Sequence, residues 1–255
     1  MRETRLLMGM PITLEIVEPC APDLIDRAFD YLAAVDRRFS TYRPDSEISA
    51  INQGRLAADG YSPAMLEVLS LAEKTRWESR GFFDIRRPDG ALDPSGIVKG
   101  WAIRNAAEIV QRAGVGDFFI EAGGDIQSRG KNASGLDWSV GIRNPFKADE
   151  IIKIVYPRGH GVATSGTYVR GQHIYIPPGI GDYISPGIGD PVTEIVSLTV
   201  IGSDVLEADR FATAAFAMGR EGILFLEQAP GLEGYVVDRN GRATPTSGFG
   251  AFCQP

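Results

Sequence analysis

Hydroxyl, guanidinium and imidazole groups are crowded into residues 161–173 of the sequence, "GVATSGTYVRGQH". A short apolar approach runs into Thr164 and Ser165, and then Arg170 and His173 follow, the latter one of only 2 histidines in the chain. Arginine recognises phosphate through several N–H donors, and histidine moves protons near neutral pH. The stretch therefore predicts a loop that binds a phosphorylated ligand, and the alternative is a polar surface hairpin.

A second candidate site lies on a helix predicted over residues 204–219. Asp209 and Thr213 are four residues apart and project from the same helical face. Two hard oxygen donors at this spacing suit Mg²⁺, which takes few protein ligands and accepts water and phosphate oxygens elsewhere. The alternative is a surface aspartate beside a threonine that bonds to its own backbone. The many alanines of this helix predict that the face is buried, where an aspartate needs a partner.

A connection punctuated by glycines leads into another predicted helix, at about residues 97–113. Gly96, placed just ahead of this helix, would let the backbone approach a ligand or ion closely. Lys99 is expected in the first helical turn, where a cation opposes the helix dipole, so a bound anion would explain its position. The alternative is a solvated lysine. Asp84 and Asp93 belong to the same connection.

Hydrophobic periodicity predicts strands and helices along the rest of the chain. Period-two alternation predicts a half-buried strand over residues 8–17, and helical spacing after Pro22 predicts a helix that ends near Tyr42. Tyr42 could stack on a flat ligand ring, with half-buried packing as the alternative. Ser62 and Pro63 predict the start of a second helix. Further predicted strands and helices lie at residues 118–120, 137–145, 150–157, 194–202, 222–228 and 234–238, and a long surface loop is predicted at 177–192.

Composition excludes several classes of function. The net charge of -7 argues against a nucleic-acid groove, because such grooves need lysine and arginine in excess of acids. Cys20 and Cys253 lie at opposite ends of the chain, so neither a zinc site nor a disulfide framework is predicted. No apolar run is long enough for a membrane span, and residues 1–7 lack the apolar core of a signal peptide. These features predict a cytoplasmic location, or a periplasmic one if a leader has been removed.

Several motifs, in order, resemble the FAD:protein FMN transferase family, the ApbE-like flavin transferases. They are "MGM", "FSTYRPDSEIS", "GFFD", "LDPSGIVKGWA", "EAGGDIQSRG", "ATSGTYVRGQH" and "LEADRFATAAFAMG", and the resemblance covers residues 8–238. It implies an α+β fold in which helices pack on a mixed, largely antiparallel sheet. It also implies a single domain over residues 1–255.

The resemblance implies a reaction as well. Members of the family bind FAD and Mg²⁺, cleave the diphosphate and pass FMN to a Thr or Ser hydroxyl of an acceptor flavoprotein, with release of AMP. By resemblance, Asp209, Thr213 and a backbone carbonyl near Gly96 hold Mg²⁺, and His173 is the base that acts on the acceptor hydroxyl. The positions that match residues holding FAD are Met8, Tyr42, Phe82, Phe83, Asp84, Asp93 and Lys99.

The sequence departs from the family pattern on one side of this site. Ile176 stands where an aspartate usually follows the histidine, and Thr167 stands where an aspartate commonly follows "TSG". Both positions concern acceptor binding more than FAD or metal binding. Two alternatives therefore stay open: an FAD pyrophosphatase, in which water replaces the acceptor hydroxyl, and a non-catalytic protein that stores or delivers FAD.

Overall fold

The structure is a computed structural model, and it describes residues 1–87, 89–166 and 192–254. Short 3-10 helices span Ala58–Gly60, Gly219–Glu221 and Phe249–Phe252. The α-helices in this part of the chain are α1 (Leu24–Phe39), α2 (Glu47–Asn52), α3 (Pro63–Glu78), α4 (Ser95–Arg112), α5 (Val205–Ala217) and α6 (Gly222–Gln228). The strands are β1 (Arg2–Leu7), β2 (Met10–Ile16), β3 (Phe118–Ala122), β4 (Asp125–Arg129), β5 (Val140–Asn144), β6 (Lys147–Val155), β7 (Gly161–Gly166), β8 (Ile195–Gly202), β9 (Glu233–Asp238) and β10 (Ala243–Pro245).

An eight-stranded sheet forms the centre of the molecule, in the order β1-β2-β3-β4-β7-β8-β9-β10. Neighbouring strands of this sheet pair antiparallel in the part of the chain that is described. Strands β5 and β6 form a separate antiparallel pair. The expected α+β class with a largely antiparallel sheet is therefore confirmed.

The two faces of the sheet are covered by different layers. Helices α1, α3, α4 and α5 contribute to the larger apolar cluster on one face, together with Ala163 and Val200 of the sheet. The β5–β6 pair contributes to a second cluster on the other face, with Ile126 and Val162. Successive residues of a strand point to opposite faces, so Asp125 and Gln127, which flank Ile126, point toward the helices.

The prediction of a phosphate-binding loop is wrong for residues 161–166, because these residues form strand β7. Thr164 and Ser165 lie in a central strand, and the Thr164 hydroxyl is 2.8 Å from that of Thr199 on β8. Threonine favours strands, and paired hydroxyls across two strands satisfy each other, so a polar run does not require a loop. Arg170 and His173 lie outside the described residues, as does most of the loop predicted at 177–192.

The amino end of α5 is held against the sheet at two points. The buried amide of Gln127 on β4 accepts a hydrogen bond from the Val205 backbone N–H at 2.9 Å and donates one to the Gly159 carbonyl at 3.0 Å. A Cβ atom placed on Gly161 of β7 would lie 2.0 Å from the Val205 nitrogen. Only glycine therefore allows β7 and α5 to approach this closely.

Replacing Gly161 by alanine should destabilise the protein by about 1–3 kcal/mol, because the added methyl group collides with backbone atoms that cannot rotate away. The matched control is Gly250→Ala, since a Cβ there would meet nothing within 4 Å. The control should change the free energy of unfolding by less than about 0.5 kcal/mol. Urea unfolding of both variants checks the prediction, and equal losses would contradict the close approach.

A half-buried tyrosine joins α1 to α4. The Tyr31 hydroxyl accepts a hydrogen bond from the Asn105 side-chain amide at 2.8 Å, and its ring lies 6.2 Å from that of Trp101 between centroids. Burial raises the pKa of Tyr31 to about 12, partly opposed by the hydrogen bond from Asn105. The folded state therefore retains the phenol proton more tightly than the unfolded chain, in which the pKa is about 10.

Tyr31→Phe should cost about 0.5–1.5 kcal/mol near neutral pH, because one hydrogen bond is lost. The contribution of Tyr31 is fully present below about pH 10 and is lost as the pH rises toward the folded-state pKa. The stability advantage of the wild-type protein over Tyr31→Phe should therefore shrink above about pH 10. Denaturant unfolding of both proteins over this pH range measures this advantage, and an advantage that stays constant would contradict the raised pKa of Tyr31.

Candidate functional site

Helix α4 begins at Ser95, two residues before the start predicted from the sequence. Gly96 therefore lies inside the first turn instead of ahead of the helix, and Lys99 lies beyond that turn. The N-cap residue, Pro94, has no capping side chain, but the Asp93 carboxylate accepts a hydrogen bond from the Ser95 backbone N–H at 3.1 Å. A carboxylate at this end of a helix satisfies a free N–H and favours the dipole, so the helix starts ahead of the glycine.

Helices α4 and α5 touch through two glycines of α4. A Cβ on Gly100 would lie 2.7 Å from Asp209 Cβ and 2.8 Å from the Val205 carbonyl oxygen. A Cβ on Gly96, one turn earlier, would lie 3.1 Å from Thr213 Cγ2. Asp209 and Thr213 are themselves one turn apart on α5. The two helices therefore meet face to face over one turn of each.

This contact brings three oxygen donors to one place. The Gly100 backbone N–H donates to Asp209 Oδ2 at 2.8 Å, and Asp209 is only 3% exposed. In a regular helix the Gly100 N–H donates to the Gly96 carbonyl. The Gly96 carbonyl oxygen lies 3.5 Å from Thr213 Oγ1. A carbonyl oxygen has two lone pairs, so the Gly96 oxygen can accept a further partner. The alternative of a solvent-exposed Asp209 is wrong, and the predicted burial is confirmed.

Lys99 pairs with carboxylates of this chain. Its Nζ atom lies 2.7 Å from Asp125 Oδ2 and 3.8 Å from Asp209 Oδ1, and its side chain is 16% exposed. The alternative of a solvated lysine is therefore wrong. The anions that explain its place on α4 are two aspartates, and they do not depend on a bound ligand.

Asp125 also belongs to this cluster, and the sequence does not predict its contact with Lys99. It is fully buried at the start of β4, directly after the tight turn formed by Gly123 and Gly124, and its Oδ1 atom accepts a hydrogen bond from the Thr164 backbone N–H at 3.3 Å. Burial raises the pKa of Asp125, the Lys99 charge opposes this rise, and Asp209 adds to it. The sequence does carry one signal: Asp125 directly precedes the buried, β-branched Ile126. Successive residues of a strand point to opposite faces, so Asp125 points away from the face that Ile126 packs on.

Arg210 fixes the rotation of α5. It is 2% exposed, its guanidinium pairs with Glu78 of α3 and Glu207 of α5, and it also donates to Thr75 Oγ1 at 3.2 Å. Burying a guanidinium is tolerated here because two carboxylates and a hydroxyl receive its donors. Asp209, the preceding residue, is thereby held toward α4 while Arg210 is held toward α3.

Two of the residues predicted to hold FAD flank this cluster. Phe83 is 3% exposed, and its ring lies 3.3 Å from the place a Cβ on Gly96 would occupy. Asp93 caps α4, as described above. Phe82, the neighbour of Phe83, is half-buried.

Three further residues predicted to hold FAD lie in loops, whereas Lys99 lies on α4. Tyr42 is 97% exposed in the turn after α1, so the alternative of half-buried packing is wrong. Met8 has φ of 53° in the turn between β1 and β2. Asp84 forms an ion pair with Arg76 at 3.2 Å and accepts a hydrogen bond from the Arg86 N–H at 2.8 Å. Contact of these residues with FAD stays a prediction.

Side chains alone do not supply a metal site in the described ranges. No group of three or more His, Cys, Asp or Glu side chains is placed to bind a metal ion there. A cation at this cluster would depend on hydroxyl and carbonyl oxygens as well as carboxylate, the hard donors that Mg²⁺ accepts. In the same ranges, no helix combines the length and the apolar character needed to span a bilayer.

Gly100→Ala should lower the free energy of unfolding by about 1–3 kcal/mol, because the methyl group would push α4 and α5 apart at Asp209. The sign distinguishes this from an ordinary helical glycine, where alanine stabilises by about 1 kcal/mol. Thermal and urea unfolding check the prediction. A gain in stability would contradict the close approach of the two helices.

Comparison with known proteins places this chain in a family. The ApbE family model matches residues 8–87 and 85–236. A relative from Klebsiella pneumoniae (strain 342), named FAD:protein FMN transferase, is 32% identical over 169 residues, which cover 66% of this chain and 48% of the relative. One of the same name from Escherichia coli (strain K12) is 31% identical over 161 residues, which cover 62% and 46%. The chain thus spans about half the length of the curated relatives it matches.

Solved structures share the fold. The flavin transferase ApbE from Vibrio cholerae superimposes with a TM-score of 0.82 at 23% identity, over 99% of this chain and 98% of that chain. The ApbE protein from Thermotoga maritima gives a TM-score of 0.84 at 19% identity, over 100% and 99%. The family model matches more than half of the sequence, so this chain belongs to the ApbE family.

Proposed function

We propose that this chain, as a single domain over residues 1–255, transfers FMN from FAD to a Thr or Ser hydroxyl of an acceptor flavoprotein and releases AMP. Membership of the ApbE family supports the proposal, as do the relatives named FAD:protein FMN transferase. The observation that carries it is the meeting of α4 and α5. There the Thr213 hydroxyl lies 3.5 Å from the Gly96 carbonyl, and the Asp209 carboxylate accepts the Gly100 N–H and lies 3.8 Å from Lys99 Nζ.

The same three residues fit a magnesium ion. Each offers a hard oxygen, and Asp209 and Thr213 project from a helix whose rotation Arg210 fixes. The charges fit as well, because two buried carboxylates, Asp125 and Asp209, share one lysine. A Mg²⁺ ion, when bound, would supply charge neutralisation for the diphosphate of FAD.

The transfer itself forms one phosphorus–oxygen bond and breaks another. The acceptor hydroxyl oxygen bonds to the phosphorus of the FMN half, while the bond from that phosphorus to the bridging oxygen breaks and AMP leaves with that oxygen. The hydroxyl proton passes to a base, for which His173 is our candidate by resemblance. Lys99 would face the phosphate oxygens from the edge of the cluster, and the exposed ring of Tyr42 would stack on an aromatic ring of FAD.

The products of a defined incubation test this function. The protein is incubated with FAD and Mg²⁺, with and without a candidate acceptor flavoprotein, and the nucleotides are separated by chromatography. AMP released together with flavin that stays on the acceptor after denaturation supports transfer. Free FMN and AMP without an acceptor would indicate a pyrophosphatase, and bound FAD with no AMP would indicate a binding protein. Either result would contradict the proposed transfer.

Asp209→Asn should reduce AMP release by about 10²–10³-fold, because it removes the negative charge that would hold the Mg²⁺ ion against the diphosphate of FAD. The amide keeps an acceptor for the Gly100 N–H, so the fold should be retained. Asp26→Asn is the matched control. Asp26 lies on α1, its side chain is 62% exposed, and it forms an ion pair with Arg5 of β1. Undiminished AMP release by Asp209→Asn would remove Asp209 from the site.

A further inference from the structure

We propose that Asp125 is a positioning residue that holds the Lys99 ammonium away from Asp209, so that the Asp209 carboxylate stays open to a divalent cation. The inference rests on the proposed metal role of Asp209, and it assigns to Asp125 a task of its own. Asp125 would bind neither metal nor FAD. Its effect would pass through Lys99.

The distances show which carboxylate holds the lysine. Lys99 Nζ is 2.7 Å from Asp125 Oδ2, the length of a direct charge-assisted contact, and 3.8 Å from Asp209 Oδ1. The ammonium therefore lies within ion-pair distance of two carboxylates and is closer to that of Asp125. With Asp125 neutral, Asp209 would be the carboxylate that remains within ion-pair distance.

The geometry of Asp209 makes this choice important. Its Oδ2 atom already accepts the Gly100 N–H at 2.8 Å, so Oδ1 is the oxygen better placed to receive a cation. Oδ1 is also the oxygen that faces Lys99 at 3.8 Å. A movement of the ammonium by about 1 Å would close a direct ion pair with it. Lys99 and a divalent cation would then compete for the same atom.

Asp125 is well placed to prevent that movement. It is fully buried, it begins β4 directly after the tight turn of Gly123 and Gly124, and Thr164 of the adjacent strand donates to its other oxygen. In the described part of the chain, Asp125 Oδ2 is buried and accepts no hydrogen bond, and Lys99 Nζ lies 2.7 Å from it as an ion-pair partner. Burying a carboxylate costs free energy unless the carboxylate is paired. This cost favours a functional role for Asp125 over a role in packing alone.

The first experiment measures binding of Mn²⁺ alone, without FAD, by the electron paramagnetic resonance signal of the free ion. Asp125→Asn keeps the shape of the side chain and an acceptor for the Thr164 N–H. It should weaken Mn²⁺ binding by about 10–100-fold, the usual cost of losing a group that orients a metal ligand. The control Asp26→Asn removes the same charge at an exposed site and should bind Mn²⁺ like the wild-type protein. Wild-type affinity in Asp125→Asn would overturn the inference.

A second experiment tests whether the effect passes through Lys99, and it uses Lys99→Met with and without Asp125→Asn. Lys99→Met should bind Mn²⁺ at least as tightly as the wild-type protein, because the competing cation is gone. In that background, adding Asp125→Asn should cost far less affinity than it does when Lys99 is present. A loss of the same size in both backgrounds would show that Asp125 acts as a general charge or a structural group, and would overturn the inference.

Two further readings keep the outcomes apart. If Asp125→Asn does not fold, Lys99→Met still decides the matter, since weaker Mn²⁺ binding by that variant contradicts competition for Asp209. If Asp209→Asn binds Mn²⁺ as well as the wild-type protein, the proposed metal role of Asp209 fails first, and the role of Asp125 fails with it. A loss in Asp209→Asn alone, with Asp125→Asn unaffected, overturns only the positioning role.

Discussion

The contact between α4 and α5 is the constraint on which the rest of the site depends. Two glycines one turn apart remove the side chains that would keep the helices separate, and Gly100 offers its backbone N–H to the Asp209 carboxylate. A carboxylate buried in this way can be satisfied by a backbone donor only when the helix axes are very close. The oxygens of Gly96 and Thr213 meet as a result of the same approach.

The sheet determines which groups reach that contact. Its alternation sends Ile126 and Val162 to the apolar cluster beneath the small β5–β6 sheet, while Asp125 and Gln127 emerge on the helical side. Gln127 fixes the beginning of α5, and Asp125 meets the lysine of α4. One strand thus supplies packing to one layer and polar contacts to the other, and β4 is tied to α5 through Gln127 and to α4 through Asp125.

Much of this was accessible from the sequence, and the reasons for the failures are physical. The pairing of Asp209 with Thr213 follows from helical spacing, which is local, and the α+β class is what the family resemblance implies. The contact of Lys99 with Asp125 depends on a hairpin and a helix that meet only after folding, so no local pattern reveals it. Thr164 looked like a loop residue because its hydroxyl was counted as polar, whereas Thr199 satisfies it across the strands. The start of α4 was misplaced because Asp93, outside the helix, caps it.

The turn of Gly123 and Gly124 has a consequence for how this family member can vary. Both residues have positive φ, 58° and 95°, and together they set the pairing of Ala122 with Asp125. Successive residues of a strand point to opposite faces. A single inserted residue that shifted β4 would therefore turn Ile126 toward Lys99 and Asp125 into the apolar cluster beneath β5 and β6. Only insertions of an even number of residues would preserve the facing of β4, so the length of this turn is a condition for chemistry as well as for folding.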